Sequence, residues 1–207
     1  MVRDKTALNR TLRAVALAGV VVSALTVGGT QAMAAEETTS TAATAAHAFG
    51  PLGPLTDLVV QRLRVGDEVA ASKFGTDKPI DDPAREQQEL AAVRTRAFAH
   101  GLDPERTAEF FQDQITASKV VQRGLFARWT AHPEEAPTTR PDLTEIRAEL
   151  DELTTALLTE LVATNDVREP GTACRIDALE AQISADVVDH LDELHRGALR
   201  TALQSLC

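Results

Sequence analysis

The dipeptide Asp-Pro occurs twice in this chain, each time directly before a run of residues with helical spacing. Asp82-Pro83 and Asp103-Pro104 each provide a side chain that can cap a helix, followed by a proline, which suits the first turn because it has no N–H to bond. Apolar residues recur at intervals of three and four, and no run alternates apolar and polar residues as a half-buried strand would. These features predict an all-α protein.

Five helices follow from this spacing and from the glycines and prolines that interrupt it. We predict them over residues 54–74, 83–99, 104–130, 143–163 and 173–204. The segment 132–141 holds three prolines and is predicted to be a loop. The helices are expected to form one domain over residues 52–207.

The first 34 residues have the three parts of a secretory signal peptide. Basic residues precede an apolar run over 14–27, and Ala32-Met33-Ala34 places small residues at the two positions that a signal peptidase reads. The apolar run is shorter than the ~20 residues that span a bilayer, which argues against a membrane anchor. We therefore predict a signal peptide over 1–34, a flexible Thr/Ala-rich leader over 35–51, and a secreted or periplasmic protein.

The charge balance limits the partners of the exported chain. Residues 1–34 carry four basic residues and one acidic residue, so the remainder has 17 basic and 30 acidic residues and a net charge of −13. Such a surface repels nucleic acids and anionic membranes, and we expect neither as a partner. Aromatic residues make up only 3% of the chain, which also argues against a platform that stacks on bases.

The chain has two cysteines, Cys174 and Cys207, and both follow the predicted signal peptide. Export to an oxidising compartment makes one disulfide between them the default. It would tie the end of the last helix to its start and add about 3–4 kcal/mol of stability in the chain-entropy model. A metal site would need more ligands than two cysteines supply, and we predict none.

Two basic residues stand out on the first helix. Arg62 lies inside the apolar stripe, between Val59 and Leu63, and Lys73 follows eleven residues later. That spacing places both on one face, about 16 Å apart along the axis, with room for a small dianion between their long side chains. Alternatively, both could extend from the core to water, as long cations often do.

The order and spacing of several short segments resemble the all-helical chorismate mutases. These segments are Arg62-Leu63, Lys73-Phe74, Pro79-Ile80-Asp81-Asp82, Arg85-Glu86-Gln87-Gln88, Asp113-Gln114-Ile115, Ser118 and Gln122. Further features resemble the secreted, mycobacterial-type branch of that family, namely Phe126-Ala127-Arg128-Trp129, Pro141-Asp142-Leu143, Arg147 and the cysteine pair. The resemblance covers roughly residues 52–207.

This resemblance implies an isomerase of aromatic amino acid biosynthesis that converts chorismate into prephenate. Arg62, Arg85 and Arg147 would bind the two substrate carboxylates, a task that suits forked guanidinium donors, and Ser118 would support one carboxylate. The site is expected within one chain, with Arg147 closing it. A homodimer is a further expectation that comes from the family.

The resemblance also implies the groups that act on the reacting atoms. Lys73 and Gln122 would donate to the ether oxygen, while Glu86 and the backbone around Asp82 would position the ring hydroxyl. The reaction is an intramolecular [3,3] rearrangement, so no cofactor, metal or nucleophile is expected. Restraint and charge stabilisation remain as the means of catalysis.

Two positions depart from the pattern of secreted relatives. Some of these carry Thr and Glu where this chain has Ser118 and Gln122. A glutamate must be protonated to donate, whereas an amide donates at any pH, so we predict activity that stays level from mildly acidic to mildly alkaline pH. Glu89 stands where a relative has Gln, and the sequence does not assign it a role.

Two other functions remain open from the sequence. An isochorismate-pyruvate lyase on the same fold would reuse the basic cluster, and an exported helical binding or effector protein would need no activity.

The last helix also contains two histidines. His190 and His195 flank Glu193 without zinc-motif spacing, and both histidines are expected to be exposed on that helix.

Overall fold

The structure is a computed structural model that describes residues 47–207. The predicted signal peptide and residues 35–46 of the predicted leader lie outside that range. The described part consists of six α-helices and a 3₁₀ turn at Pro133–Glu135, without strands. The helices are α1 (Gly53–Lys73), α2 (Pro83–Ala99), α3 (Pro104–Ala131), α4 (Leu143–Ala163), α5 (Thr172–Val188) and α6 (Glu193–Ala202). The predicted all-α class is confirmed.

Aspartate caps four of the six helices. The carboxylates of Asp82, Asp103, Asp142 and Asp192 accept hydrogen bonds from backbone N–H groups in the first turns of α2, α3, α4 and α6. Such bonds satisfy donors that have no partner inside the helix. The two Asp-Pro dipeptides therefore mark helix starts, as predicted.

The last predicted helix is in fact two helices, and the prediction of a single helix over 173–204 is wrong. His190 adopts a left-handed conformation with φ of 51°, and the N–H of Leu191 donates to the carbonyl of Asp186 at 3.1 Å. This is a Schellman termination, which usually has glycine at the left-handed position. Because histidine stands there instead, no glycine or proline marks the break.

The core centres on α1. Its buried residues Leu55, Val59 and Leu63 belong to the same apolar cluster as Phe110 of α3 and Leu157 of α4. The disulfide between Cys174 and Cys207, with Cα atoms 5.9 Å apart, joins the start of α5 to the segment after α6. The predicted pairing is confirmed.

The segment just before α1 already packs on the helices. Ala48 is 6% exposed, and its N–H donates to the Asp57 carboxylate at 3.0 Å. The N–H of Phe49 donates to Ser184 Oγ on α5 at 2.9 Å. Residues that the sequence analysis placed in the leader thus contact both α1 and α5.

His195 links α6 to α1, so the expectation that it is exposed is wrong. Its ring nitrogens contact Asp67 at 3.0 Å and Asp192 at 2.7 Å, and its side chain is only 13% exposed. The hydrogen bond to Asp67, with a further one to Asp192, outweighs desolvation and raises the pKa of His195 to about 9. His190, by contrast, is exposed as expected.

None of the helices within residues 47–207 combines the length and hydropathy needed to cross a membrane.

Candidate active site

A cleft of about 760 Å³ lies among α1, α2, α3 and α4 and the loops that precede α2 and α4. This volume falls within the range of about 300–1,000 Å³ that is usual for small-molecule sites. All eight residues predicted for the site line this one cleft, namely Arg62, Lys73, Asp82, Arg85, Glu86, Ser118, Gln122 and Arg147. They come from four helices and the N-cap of α2.

Arg62 lies deep in the wall of the cleft. Its Nη1 donates to the Leu150 carbonyl at 3.4 Å and to Thr154 Oγ1 at 3.3 Å, and its guanidinium lies 5.9 Å from the ring centroid of Phe111. Desolvation lowers the pKa of Arg62 to about 10, although Glu89 opposes that shift. The side chain is therefore held in place by α4 and remains a cation at neutral pH.

Lys73 is the last residue of α1 and is half-buried in the cleft. Burial lowers the pKa of its ammonium, and the nearby Arg147 lowers it further, while Asp82 raises it. Arg62 and Lys73 line the same cleft, as their spacing on α1 predicts. The ammonium of Lys73 can therefore contact a ligand that is bound beside Arg62.

The start of α2 presents Glu86 to the cleft with both carboxylate oxygens engaged. Oε1 accepts from the N–H of Asp82 at 3.3 Å, and Oε2 accepts from Lys119 Nζ on α3 at 2.9 Å. Lys119 also lines the cleft, although it is not among the site residues predicted from the sequence. A signal was available, because Lys119 is one of only four lysines in the chain and directly follows Ser118.

Ser118 and Gln122 face the cleft one turn apart on α3. Gln122 Nε2 donates to Ser118 Oγ at 3.2 Å, and Gln122 Oε1 is buried without a partner among the described residues. A half-turn of the amide would let Ser118 donate to Oε1 and would leave Nε2 as the unpaired atom. A buried amide atom without a partner costs about 1–3 kcal/mol, so this position favours a bound ligand.

The mouth of the cleft carries further charged groups. Arg85 forms an ion pair with Glu89 one turn along α2, and both line the cleft. Arg140, which precedes α4, donates to the Phe74 carbonyl at 3.2 Å. Arg147 is exposed and has no ion-pair partner among residues 47–207. No periodic pattern could have placed Arg140, because it lies in a loop.

The lining of the cleft is cationic, although the chain as a whole is acidic. Seven basic residues line it against five acidic ones, a balance of +2, whereas the full chain has a net charge of −10. Low-dielectric walls focus such a local field on the space inside the cleft. The cleft is therefore suited to a small dianion.

A family model described as chorismate mutase type II matches residues 54–123. The chain is 38% identical over 154 residues to a secreted chorismate mutase of Mycolicibacterium smegmatis, covering 74% of this chain and 84% of that protein. It is 34% identical over 154 residues to a secreted chorismate mutase of Mycobacterium tuberculosis, covering 74% and 76% of the two proteins.

Solved structures of chorismate mutases are also similar to this chain. The chorismate mutase of Burkholderia thailandensis aligns with a TM-score of 0.71 at 36% identity, covering 76% of this chain and 99% of that one. The chorismate mutase of Burkholderia phymatum also gives 0.71, at 33% identity and with coverages of 76% and 96%.

Proposed function

This chain belongs to the secreted chorismate mutases of the type II family, and from that premise we propose how its cleft converts chorismate into prephenate. It is an isomerase, and it acts outside the cytoplasm, in a secreted or periplasmic location. The observation that carries the mechanism is the cationic cleft, in which residues from four helices converge within one acidic chain.

Three arginines bind the two carboxylates of chorismate in this proposal. Arg62 is already oriented by Leu150 and Thr154, so little side-chain freedom is lost when it binds a carboxylate. Arg85 can exchange its contact with Glu89 for the substrate, and Arg147 is free of ion pairs within the described residues. The surplus of two positive charges in the cleft matches the charge of the substrate.

Lys73 and Gln122 stabilise the transition state. As the ether C–O bond breaks and the new C–C bond forms, negative charge grows on the ether oxygen, and no proton needs to be transferred. The ammonium of Lys73 interacts strongly with that charge because this side chain is half-buried, where water screens the interaction less. Gln122 Nε2 carries two N–H groups, so it can donate one to Ser118 and the other to the ether oxygen, which leaves the hydroxyl proton of Ser118 to support a carboxylate.

Glu86 and the N-terminus of α2 position the ring. Glu86 is a hydrogen-bond acceptor in its ionised form and can bind the ring hydroxyl, beside the backbone of the N-cap Asp82. Holding the ring and the enolpyruvyl chain together supplies the entropic part of catalysis. The residues of this chain suffice for these steps, and the proposal includes no cofactor or metal.

The first test follows chorismate consumption by residues 35–207 through the loss of its ultraviolet absorbance. Lys73→Ala is expected to lower kcat by at least about 100-fold, since removing one donor to a developing oxyanion costs about 10²–10³-fold. Arg64→Ala is the matched control, because Arg64 lies on the same helix but donates to Asp189 outside the cleft.

Product analysis separates the remaining functions. Prephenate as the product supports the mutase, whereas release of pyruvate from isochorismate would indicate the lyase. A folded, oxidised protein that turns over neither compound would indicate a binding or effector protein.

We also propose that the chain forms a homodimer through an apolar stripe on α5. Ile176, Leu179, Ile183 and Val187 share one face of α5 and are 54–67% exposed, and Phe49, 69% exposed, adjoins them. Their spacing of three and four residues fits a helix-to-helix seam. Charge favours an antiparallel second copy as the partner. Arg175 and Asp186 lie on the same flank of α5, one near each end of the helix, so in an antiparallel pair each would face the opposite charge on the other copy.

A seam of four apolar side chains on one helix, with Phe49 beside it, favours a weak association, so we expect a dimer that dissociates on dilution. Sedimentation velocity over a range of concentrations measures this equilibrium. Ile183→Asp is expected to yield monomers that remain active, and Phe98→Asp, at an apolar residue of α2 that is 78% exposed, should leave the dimer intact. A wild-type monomer at every concentration, or a dimer that persists in Ile183→Asp, would contradict the proposal.

A further inference from the structure

One ion pair in the wall of the cleft joins α2 to α3. Lys119 Nζ lies 2.9 Å from Glu86 Oε2, and the two side chains are 17% and 20% exposed. A second and longer contact, 3.4 Å, joins Lys119 to Asp81, whose side chain is 53% exposed. The contact with Glu86 is therefore the better shielded of the two, and such a pair is stronger than an exposed one.

The same ion pair fixes the orientation of the Glu86 carboxylate. One oxygen is bound by the N-cap N–H of α2 at 3.3 Å, and the other is bound by Lys119. Without Lys119, a single long hydrogen bond would hold a flexible side chain. Its carboxylate could then rotate toward Arg85 or out to solvent.

The charge of Lys119 also offsets the negative charge that Glu86 brings into the wall of the cleft. A carboxylate in the wall of a dianion site repels the ligand, and this repulsion grows as water is excluded. Lys119 places a positive charge within contact distance of Glu86, on the side where the carboxylate meets α3. Glu86 can therefore face the cleft at a small cost in substrate affinity.

We propose that Lys119 is a positioning residue that orients Glu86 and neutralises it, so that Glu86 can accept the hydrogen bond of the substrate's ring hydroxyl. The proposal rests on the mutase function described above. It assigns Lys119 an action through Glu86 and not a direct contact with the substrate, and this difference can be measured.

A double-mutant cycle tests the proposal. Lys119→Met keeps the length of the side chain and removes its charge, and Glu86→Gln removes the carboxylate. We expect Lys119→Met to lower kcat/KM for chorismate about tenfold, mostly in kcat, because the carboxylates of the substrate still bind while its ring loses restraint. In the Glu86→Gln background the same substitution should change kcat/KM by less than about twofold, since the two effects are coupled.

Two further variants separate positioning from a general structural effect. Lys119→Arg keeps a donor that can reach Glu86 and should restore most of kcat. Arg123→Met removes the cation one turn along α3 that bonds Asp81 and does not contact Glu86, so it should retain wild-type kinetics. Thermal unfolding of each variant reports whether the fold is intact.

Three results would overturn the role. Unchanged kinetics in Lys119→Met would show that Glu86 needs no anchor, and a full additional loss in the Glu86→Gln background would show that Lys119 acts directly on the substrate. An equal loss in Arg123→Met would indicate a general link between α2 and α3. If the wild-type protein does not convert chorismate at all, the proposed function fails first, and the role of Lys119 fails with it.

Discussion

Gln122 combines two properties at the level of a single residue. Its amide has one atom paired with Ser118 and one buried atom without a partner among residues 47–207. An amide stays neutral and keeps its donor at every pH, whereas a carboxyl group can donate only when protonated. The pH dependence of activity should therefore differ between a protein with glutamine at this position and one with glutamate.

We predict that kcat/KM of the wild-type protein is level from mildly acidic to mildly alkaline pH and that Gln122→Glu makes it fall steeply as pH rises. The fall in the variant follows ionisation of the new carboxyl group, which then repels the charge growing on the ether oxygen. The pKa of Lys73 is lowered by burial, so the wild-type profile should decline on the alkaline side below the usual titration range of lysine. Steady-state kinetics across this range checks both profiles, and a steep wild-type loss just above neutrality would contradict the assignment.

At the level of helices, the protonated side chain of His195 joins α6 to α1. His195 lies between Asp67 of α1 and Asp192 at the N-cap of α6. The carboxylates of Asp67 and Asp192 stabilise the cation, which raises the pKa of His195 from its usual value of 6.5 to about 9. Folding stability is thereby linked to the protonation of this residue.

We predict that the wild-type protein loses stability as pH rises from about 6.5 to about 9. The folded state binds the proton more tightly than the unfolded state, so the contribution is complete below the unfolded pKa and disappears as pH passes the folded one. Because Asp67 is 41% exposed, solvent screening limits the effect to on the order of 1–2 kcal/mol.

Urea unfolding at several pH values measures this slope. His195→Gln should flatten it over the same window, whereas His190→Asn, at an exposed residue in the left-handed turn, should keep it. An equal slope in wild type and His195→Gln would assign the pH dependence to other groups.

Features set within one helix could be predicted from the sequence, and features set between helices could not. The shared face of Arg62 and Lys73 follows from helical geometry alone, and the Asp-Pro caps follow from local hydrogen bonding. The pairing of Lys119 with Glu86 depends on how α2 packs against α3, and the burial of His195 depends on how α6 meets α1. The break at His190 is a local feature, but it uses a residue that rarely marks a helix end.

At the scale of the whole molecule, catalysis and the disulfide occupy different parts of the fold. The cleft is lined by α1 to α4 and the loops that precede α2 and α4, whereas the disulfide joins α5 to the segment after α6. The bridge constrains the unfolded chain over a separation of 33 residues. Breaking the disulfide should therefore lower the stability of the fold while it leaves the geometry of the active site unchanged.

We predict that reduction lowers the melting temperature by about 6–15 °C, from a loss of about 3–4 kcal/mol in a domain of this size. Activity well below the melting temperature should change less than about twofold, because the cleft does not contain the bridge. Calorimetry and kinetics with and without a reductant measure both, and the variant with Cys174→Ser and Cys207→Ser should not respond to the reductant. Loss of activity in the reduced, folded protein would show that α5 and α6 support the cleft.

The cleft is formed within one chain, and this matters for an exported enzyme. Where an exported protein passes into the medium, it enters a volume far larger than the cytoplasm, and subunits that separate there rarely meet again. A site shared between two subunits would disappear as the assembly came apart. Here each copy carries its own α1 to α4, so turnover per molecule should survive dilution even after any pairing through α5 has been lost.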